Sequence, residues 1–409
     1  MASATPLFHL GPGIRRDERF QGGLVMDLNL PNHDPDADWG LPGWLYANER
    51  FFREEQDRVL RPSWQIVCHL NDIPKAGDFH TFDFLGESTV VVRGKDGGAR
   101  AFANVCRHRA ARLLDGPSGQ CGKGGGRIVC PYHAWTYGLD GRLIGVPHAE
   151  TYPALEMDKQ GLASVQVEVY RGFVFVRLEG DGPSVAEMMA PYDHELAPYR
   201  FEDMVPFGRV TLRPREVNWK NISDNYSDGL HIPVAHPGLT RLFGRGYGVE
   251  AQTWVDKMWG HLVEEPSNNP SERMYQAVLP DAPHLPPERK RLWTYFKLWP
   301  NQAFDIYPDQ VDFMQFIPVS PTRTMIREIA YALPDERREM KAARYLNWRI
   351  NRQVNAEDTG LVARVQQGMA SRSFTAGPLA ETEVSLRSFG RKLRALIPQA
   401  RLPRPPEGW

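Results

Sequence analysis

Two short segments of the chain each pair a cysteine with a histidine. They are Cys106–His108 and Cys130–His133, and a glycine-rich stretch lies between them. A thiolate and an imidazole this close in sequence can reach the same metal centre, so the two segments predict a site with four ligands. Zinc would take all four ligands on one ion, whereas a [2Fe–2S] cluster can take two cysteines on one iron and two histidines on the other. Because each segment mixes both ligand types, the pattern favours the cluster over zinc.

The other two cysteines lie outside these two segments. Cys121 lies between the two segments, beside the glycine-rich insert at 123–126, and we expect it to be a loop residue. We expect the insert itself to lie on an exposed loop. Cys68 follows an apolar run and is interpreted as a packed core thiol.

A second group of candidate ligands lies farther along the chain. Asp228 and His231 are three residues apart, which predicts neighbouring positions on one helical face. His231 and His236 are five residues apart, so a helix break near Pro233 is needed for both imidazoles to reach one ion. Two neutral imidazoles and one carboxylate form the facial triad of non-haem Fe(II) oxygenases, which leaves positions open for O2 and substrate.

The carboxylate ligand must come from a distant segment, and Asp358 is the best candidate. On a helical reading it lies on an apolar stripe, and this stripe is formed by Ile350, Val354, Leu361 and Val365. A carboxylate that faces a core is costly unless it is paired or bound to a metal. The alternative, Glu357, lies about 100° around the helix, nearer the polar side.

Two different sequence patterns predict the secondary-structure elements that position these residues. Short β-branched and alternating runs between 64 and 178 predict a small all-β domain of antiparallel hairpins. Beyond a linker at 179–184, strand-like runs and a long helical periodicity at 337–369 predict an α+β domain. The predicted units are an N-terminal arm and loop (1–45), a cluster domain with a leading helix (46–178), a catalytic mononuclear-iron domain (185–400) and a tail (401–409).

Composition narrows the class of protein. The chain has 409 residues, 24% of them charged, and its formal net charge is −1. This gives no electrostatic reason to expect nucleic acid or an anionic membrane as a partner. There is no apolar run long enough for a transmembrane helix, the N-terminal residues lack the apolar segment that is typical of a signal peptide, and four cysteines are too few for a disulfide scaffold. We expect a soluble cytoplasmic protein of two or three domains, each with its own core.

Together, and in this order, the motifs resemble the catalytic (α) subunit of Rieske non-haem iron oxygenases. The resemblance rests on Cys106–His108, Cys130–Trp135, Asn218–Lys220, Asp228–His236 and Glu357–Asp358. It implies a Rieske domain before an α+β catalytic domain of helix-grip (START-like) fold with an antiparallel sheet, assembled as a head-to-tail homotrimer.

The resemblance also implies roles for individual residues. Cys106, His108, Cys130 and His133 would hold the cluster, and His231, His236 and Asp358 the mononuclear Fe(II). His133 would lie against the mononuclear site of the neighbouring subunit, and Asp228 would bridge the two centres. Asn225 matches a family position near the iron.

The predicted activity is that of a terminal oxygenase component. It would use O2 and two external electrons to hydroxylate a small organic substrate, either on an aromatic ring, as in aromatic compound catabolism, or next to a heteroatom, which gives demethylation. Since no dinucleotide-binding motif follows a strand, a separate NAD(P)H-dependent reductase, with or without a ferredoxin, would supply the electrons. The alternatives are a Rieske electron-transfer protein without oxygenase chemistry and a catalytically inactive homologue.

Overall fold

The computed structural model describes residues 28, 30, 34–122, 124, 126–208 and 210–409. Most of the predicted N-terminal arm, and Lys123 and Gly125 of the glycine-rich insert, lie outside these residues.

A seven-stranded antiparallel sheet forms the body of the first unit. Helix α1 (Glu49–Glu55), continued by a π turn at Gln56–Leu60, precedes it. The sheet has the order β1-β10-β9-β4-β3-β2-β5. Its strands are β1 (Gln65–His69), β2 (Asp78–Phe84), β3 (Glu87–Arg93), β4 (Ala99–Ala103), β5 (Ser118–Gln120), β9 (Ser164–Tyr170) and β10 (Phe173–Arg177).

A three-stranded sheet completes this unit and is formed by β6 (Arg127–Val129), β7 (Thr136–Gly138) and β8 (Leu143–Gly145). The first cysteine–histidine segment follows β4, and the second connects β6 to β7. Both segments therefore lie in loops at strand ends, where the backbone does not have to follow the hydrogen-bond pattern of a sheet.

An eight-stranded antiparallel sheet organises the second unit. Its main path has the order β11-β18-β17-β16-β15-β14-β13, and β12 also pairs with β18. Its strands are β11 (Val205–Pro206), β12 (Thr211–Arg215), β13 (Tyr247–Ala251), β14 (Val255–His261), β15 (Leu292–Leu298), β16 (Gln302–Ile306), β17 (Val311–Ser320) and β18 (Arg323–Ala332).

Helices accompany this sheet, and the long α8 supplies one wall of the site described below. They are α2 (Val185–Met189), α3 (Asp193–Leu196), α4 (Trp219–Ser227), α5 (Ile232–Ala235), α6 (Pro237–Phe243), α7 (Pro270–Val278), α8 (Arg338–Met369) and α9 (Val384–Leu396). The α+β class and the antiparallel sheet that were predicted are confirmed.

Each unit has a hydrophobic cluster of its own, as expected, and two further clusters join the two units. One hydrophobic cluster combines Phe173 and Phe175 of β10 with Phe304 and Phe313 of the larger sheet. Arg327 of β18 donates hydrogen bonds to backbone carbonyls of β1. The two sheets therefore pack as one body, because the apolar faces of β1 and β10 need cover that the short hairpins cannot supply.

The predicted C-terminal tail packs against the rest of the protein. Residues 402–409 have no regular structure, but the ring of Trp409 lies 6.1 Å from that of Trp44. The indole N–H of Trp44 donates a 2.8 Å hydrogen bond to the carbonyl of Leu402. Within the described part of the chain, no helix is both long enough and apolar enough to cross a membrane.

Candidate metal centres and active site

The two cysteine–histidine segments fold into loops with the same backbone pattern. In the first, Cys106 N–H donates to Ala111 O at 2.8 Å and Ala110 N–H to Cys106 O at 3.1 Å. In the second, Cys130 N–H donates to Trp135 O and Ala134 N–H to Cys130 O, at the same two distances. Each loop turns at an alanine in the left-handed region, with φ of 57° at Ala110 and 55° at Ala134. Such φ values are rare for alanine, so the twin loops are a specific construction and not generic turns.

The side chains of these loops fit a two-iron cluster. Cys106 and Cys130 are buried free thiols, and the buried Nδ1 atoms of His108 and His133 have no hydrogen-bond partner. Buried nitrogens without partners are costly, and coordination of a metal removes that cost. Among the described residues, the four side chains do not bring three donor atoms within 4.8 Å of one another. A single zinc ion needs such convergence, so the wider arrangement favours the cluster.

Aromatic side chains surround this first centre. The indole of Trp135 stacks on the imidazole of His108, with ring centroids 4.8 Å apart and planes 5° apart. The hydroxyl of Tyr137 lies 3.3 Å from Sγ of Cys106. Tyr132, beside His133, is 56% exposed, so this end of the β domain is open to a partner surface.

The two remaining cysteines are both buried. Cys68 lies in the core, as predicted, and burial raises the pKa of its thiol far above the usual range. Cys121 follows β5 in a loop, but it is fully buried in the core of the β domain. Burial raises the pKa of its thiol to about 12. Of the glycine-rich insert, Gly124 is exposed.

The second group of predicted ligands converges on one point. His231, His236 and Asp358 offer donor atoms that all lie within 4.8 Å of one another. The two Nε2 atoms are 3.1 Å apart, and Asp358 Oδ1 lies 3.0 Å from Nε2 of His236 and 3.6 Å from that of His231. Asn225 donates to the same Asp358 oxygen at 3.1 Å. Two imidazoles and one carboxylate with this convergence suit a mononuclear Fe(II) site.

Each imidazole is oriented by a second carboxylate on its other nitrogen. Nδ1 of His231 lies 3.2 Å from Asp228 Oδ2, and Nδ1 of His236 lies 2.8 Å from Glu357 Oε2. These contacts place the ring protons on Nδ1 and leave both Nε2 lone pairs for a metal. Burial acts to raise the pKa of Asp228, but hydrogen bonds from His231 and the Leu230 N–H outweigh it, so the pKa is lowered.

The local backbone differs from the prediction in two ways. Asp228 is not on a helical face with His231, because α4 ends at Ser227 and Asp228 is extended, with ψ of 121°. Instead its Oδ1 accepts from Leu230 N–H at 2.7 Å in a tight side-chain turn. The break is also not at Pro233, which lies in the first turn of α5, where a proline is tolerated. The chain breaks at 228–230 and again at His236.

Asp358 lies on the face of α8 that the apolar stripe predicted, but the burial of two other residues differs from the prediction. Ile350 is buried and Val354 packs beside it, but Val365 is 46% exposed. Glu357, expected nearer the polar side, is half-buried against His236. His236, which follows α5, contacts Glu357 with one ring nitrogen and Asp358 with the other.

The triad opens into a cavity of ≈ 120 Å³ between the larger sheet and α8. Four tyrosines line it: Tyr226, Tyr247, Tyr295 and Tyr307. Besides Asp228 and Asp358, three further acids line it: Asp305, Asp312 and Glu328. The strand segments at 304–307 and 311–317 contribute alternate residues to its wall.

Sequence reasoning did not identify the acids of this cavity, since an isolated aspartate in a strand carries no spacing signal. Asp305 and Asp312 are directly opposite each other on β16 and β17. Burial raises the pKa of Asp305 to about 7, although the Tyr226 hydroxyl donates to it. Burial, Glu328 and Asp305 raise the pKa of Asp312 well above its usual range.

Comparison with known proteins agrees with both centres. The family described as "Rieske [2Fe-2S] domain" matches residues 63–166, and "Ring hydroxylating alpha subunit (catalytic domain)" matches residues 201–399. The carnitine monooxygenase oxygenase subunit of Escherichia coli K12 is 30% identical over 86% of this chain and 90% of its own length. The chain belongs to the Rieske non-haem iron oxygenases.

Two further relatives of this Rieske oxygenase are similar over different lengths. The glycine betaine monooxygenase oxygenase subunit of Pseudomonas aeruginosa (strain UCBPP-PA14) is 32% identical over 50% of this chain and 47% of its own length. A crystal structure of a quaternary ammonium Rieske monooxygenase with L-carnitine has a TM-score of 0.72 and 25% identity, and it covers 88% of this chain and 96% of that one.

As a Rieske oxygenase, the chain is a terminal oxygenase component and not only an electron carrier. Its cofactors are a Rieske [2Fe–2S] cluster and a mononuclear Fe(II). The cluster supplies an electron, and the mononuclear iron, when bound, activates O2 for oxidation of an organic substrate. The electrons come from a separate reductase.

Proposed function

We propose that this oxygenase hydroxylates a carbon attached to the nitrogen of a small quaternary ammonium compound. Substrate, O2, two electrons and two protons give the hydroxylated product and water. A hydroxyl on such a carbon allows the C–N bond to break, with release of an aldehyde and an amine that keeps the bond's electron pair. The carnitine and glycine betaine monooxygenase relatives support this substrate class.

The observation that carries the proposal is the composition of the cavity at the triad. Four tyrosine rings and the Asp305–Asp312 pair line the space next to His231, His236 and Asp358. Aromatic ring faces attract a quaternary ammonium ion electrostatically. Such an ion cannot donate hydrogen bonds, so it is recognised by interactions of this non-directional kind. Neither aspartate has a lysine or arginine within ion-pair distance among the described residues, although Arg213 lies nearby and pairs with Glu328. A bound organic cation would favour the ionised form of both carboxyls, whose pKa values are raised by burial.

The proposal assigns a role to each residue at the two centres. Cys106 and Cys130 hold one iron of the cluster, and His108 and His133 hold the other. His231, His236 and Asp358 hold the mononuclear iron, while Asp228 and Glu357 fix the orientation of the two imidazoles. Asn225 donates to Asp358 and keeps its carboxylate turned toward the histidines.

We further propose a head-to-tail homotrimer in the cytoplasm, in which the cluster of one subunit serves the triad of the next. Asp228 and His231 also line a second cavity of ≈ 420 Å³ on the side away from the tyrosines. Trp39, Phe374 and Leu379 line this second cavity. The open end of the β domain at Tyr132 and His133 is a suitable surface to cover it. The domain boundaries at 178 and 185 are part of this proposal.

A pair of isosteric substrates tests the proposed charge recognition. One compound carries a trimethylammonium group and the other a tert-butyl group of the same shape without charge. We expect kcat/KM for product formation to favour the cation by at least about 100-fold. Asp312→Asn should reduce that preference, whereas Asp115→Asn, at an exposed acid, should not. Equal turnover of both compounds, or turnover of aromatic hydrocarbons alone, would overturn the proposal.

Subunit mixing tests the proposed electron route. Cys130→Ser removes the cluster and His236→Ala removes the mononuclear iron, so each variant alone should be inactive. Co-expressed variants form mixed oligomers in which an intact cluster lies next to an intact triad on another subunit. We expect activity to return in the mixture. Complete inactivity of well-assembled mixed oligomers would contradict transfer between subunits.

A further inference from the structure

The cavity that contains the triad is bounded by side chains with little contact to solvent. Every described residue that lines it is buried or half-buried. Two larger cavities share parts of its wall. One is the cavity of ≈ 420 Å³ at Asp228 and His231, and the other has a volume of ≈ 750 Å³. An organic substrate therefore reaches the triad through one of these two neighbours.

The cavity of ≈ 750 Å³, here called the outer cavity, lies between α8 and the strands β12 and β18 and reaches the surface. Tyr345 and Trp348 of α8 line it and are 55% and 48% exposed. Their ring centroids are 5.8 Å apart, and the guanidinium of Arg352 lies 5.3 Å from the centre of the Trp348 ring. Clustered exposed apolar groups mark binding surfaces, whereas isolated ones are common everywhere. The mouth of the outer cavity thus has the composition of a binding surface.

The outer cavity meets the triad cavity at a passage along α8. Asn351, Asn355 and Thr359 line both cavities and lie four residues apart, on one face of the helix. Asn355 Nδ2 donates to the Asn351 carbonyl at 3.2 Å, and Thr359 Oγ1 donates to the Asn355 carbonyl at 2.6 Å. Asn351 Nδ2 donates to the Asn347 side chain of the same helix at 2.8 Å. In the described part of the chain none of these three side chains bonds to the sheet, so no hydrogen bond from them closes the passage.

The cavity of ≈ 420 Å³ has a different role in the proposed trimer. There the β domain of the neighbouring subunit covers it and brings the cluster to the triad. A substrate that entered by the same surface would require the subunits to separate in each turnover. The outer cavity is independent of that surface, since the two cavities share no lining residue in the described part of the chain.

We propose that the outer cavity is the entrance for the organic substrate, which passes along α8 from Tyr345 and Trp348 to the triad. Trp348 lies ten residues before Asp358, which is roughly 15 Å along the helix. The exposed rings form the first binding position, and the amide and hydroxyl groups of the passage line the way inward. This inference goes beyond the proposed function, because it holds for any small organic substrate. It rests on the proposed trimer only for the closure of the other cavity.

Reversible obstruction of the outer cavity tests the entrance. Ala356 is exposed and, of the three cavities, lines only the outer one. In the Ala356→Cys holoenzyme, the introduced thiol is modified with methanethiosulfonates that carry a methyl, a benzyl or a larger aromatic group, and a reducing agent later removes the group. Stopped-flow fluorescence measures how fast a trimethylammonium compound associates with and dissociates from the oxidised protein.

We expect the largest group to slow association and dissociation by about 10-fold or more and to change Kd by less than about 2-fold, because an obstructed entrance affects the passage and not the bound state. Removal of the group should restore both rates. Arg349→Cys is the matched control, since Arg349 is an exposed residue of α8 that lines none of the three cavities. The wild-type protein, treated with the same reagents, controls for its own buried cysteines.

A second position tests the alternative route. Val365 is 46% exposed and, of the three cavities, lines only the one of ≈ 420 Å³. If groups at Val365→Cys slow substrate binding, alone or together with those at Ala356→Cys, the outer cavity is not the entrance that we propose. Unchanged rates with every group at Ala356→Cys, or equal slowing in Arg349→Cys, would also overturn the inference.

Two further probes separate this inference from the proposed function. An aromatic acid replaces the trimethylammonium compound, and bipyridine, a small neutral chelator, reports access to the mononuclear iron by its rate of iron removal. If groups at Ala356→Cys slow the aromatic acid or the chelator while no trimethylammonium compound binds, the entrance stands and the proposed substrate class is wrong. If they slow none of the three probes, the entrance is wrong. Light scattering measures the oligomer, and a monomer in which only Ala356→Cys is sensitive would exclude the trimer and keep the entrance.

Discussion

Glu357 accepts a hydrogen bond from Nδ1 of His236 at 2.8 Å, while its sequence neighbour Asp358 lies 3.0 Å from Nε2 of the same ring. Two consecutive acids on α8 therefore contact opposite nitrogens of one imidazole. Since only one of these nitrogens can face the metal, the two acids have different roles. Asp358 is a proposed ligand, and Glu357 is a positioning residue.

This division predicts different iron contents for two variants. Asp358→Ala should lose the mononuclear iron and keep the two irons of the cluster. Glu357→Gln should keep the site but weaken its affinity for iron by about 10- to 100-fold, because the amide orients His236 less strongly. Iron per chain is measured by mass spectrometry during titration with a chelator. Glu339→Gln, at an exposed acid of the same helix, is the control. Full retention of three irons in Asp358→Ala would contradict the ligand assignment.

The twin loops predict that only two of the four cysteines hold the cluster. Cys130→Ser should abolish the visible absorption and the paramagnetic resonance signal of the reduced cluster. Cys121→Ala should keep both signals and cost stability only, because Cys121 is a buried core residue. Loss of the cluster signals in a folded Cys121→Ala protein would show that the ligand set is misassigned.

Asp228 is expected to affect turnover without affecting metal content. Asp228→Asn keeps the size of the side chain but removes the negative charge that orients His231 and, in the proposed trimer, couples the two centres. Both metals should stay bound, the cluster should still be reduced by the reductase, and product formation should fall by at least about 100-fold. Rapid reduction of the cluster followed by normal product formation would argue against the bridging role.

The acidic pair predicts a pH dependence of substrate affinity. The pKa of Asp305, raised to about 7 by burial, means that this carboxyl is neutral at lower pH and ionised at higher pH. Only the ionised form attracts a cation, so KM for a trimethylammonium substrate should fall as pH rises through about 7. The groups that face Asp305 are Tyr226, Asp312, Glu328 and Arg213. Asp305→Asn should raise KM and flatten its pH profile, and an unchanged profile would exclude this role.

The helix that leads to the site depends on a fully buried ion pair. Lys220 Nζ lies 2.7 Å from Glu55 Oε1, and both side chains have zero exposure. Burial raises the pKa of Glu55 and lowers that of Lys220, so each charge depends on the other. Lys220→Met should destabilise the protein by about 3–5 kcal/mol, because it leaves Glu55 buried without a partner. Arg50→Met, which removes an exposed pair, should cost less than about 1 kcal/mol. Chemical unfolding compares the two, and equal costs would contradict this account.

Ligand types and spacing were sufficient to predict the candidate metal centres. Cys106–His108 and Cys130–His133 are short segments whose chemistry depends on few other residues. Asp358 could be predicted because a carboxylate on an apolar stripe needs a partner. The predicted α+β class followed from the order of strand and helix patterns.

The other features of the site depend on contacts between distant segments, which local sequence patterns do not encode. The turn at Asp228 depends on where α4 ends, and the role of Glu357 depends on where the distant His236 lies relative to α8. The acidic pair exists only because the register places Asp305 opposite Asp312.

A single-turnover reaction tests whether the triad oxidises a trimethylammonium compound with electrons held by the protein itself. The protein is reduced chemically, freed of reductant, and mixed with O2 and a trimethylammonium compound in the absence of any reductase. We expect formation of the cleaved amine and aldehyde, up to one equivalent per mononuclear iron, with none in Asp358→Ala or with the tert-butyl analogue. Oxidation of the cluster without product from any trimethylammonium compound, or equal product from Asp358→Ala, would contradict it.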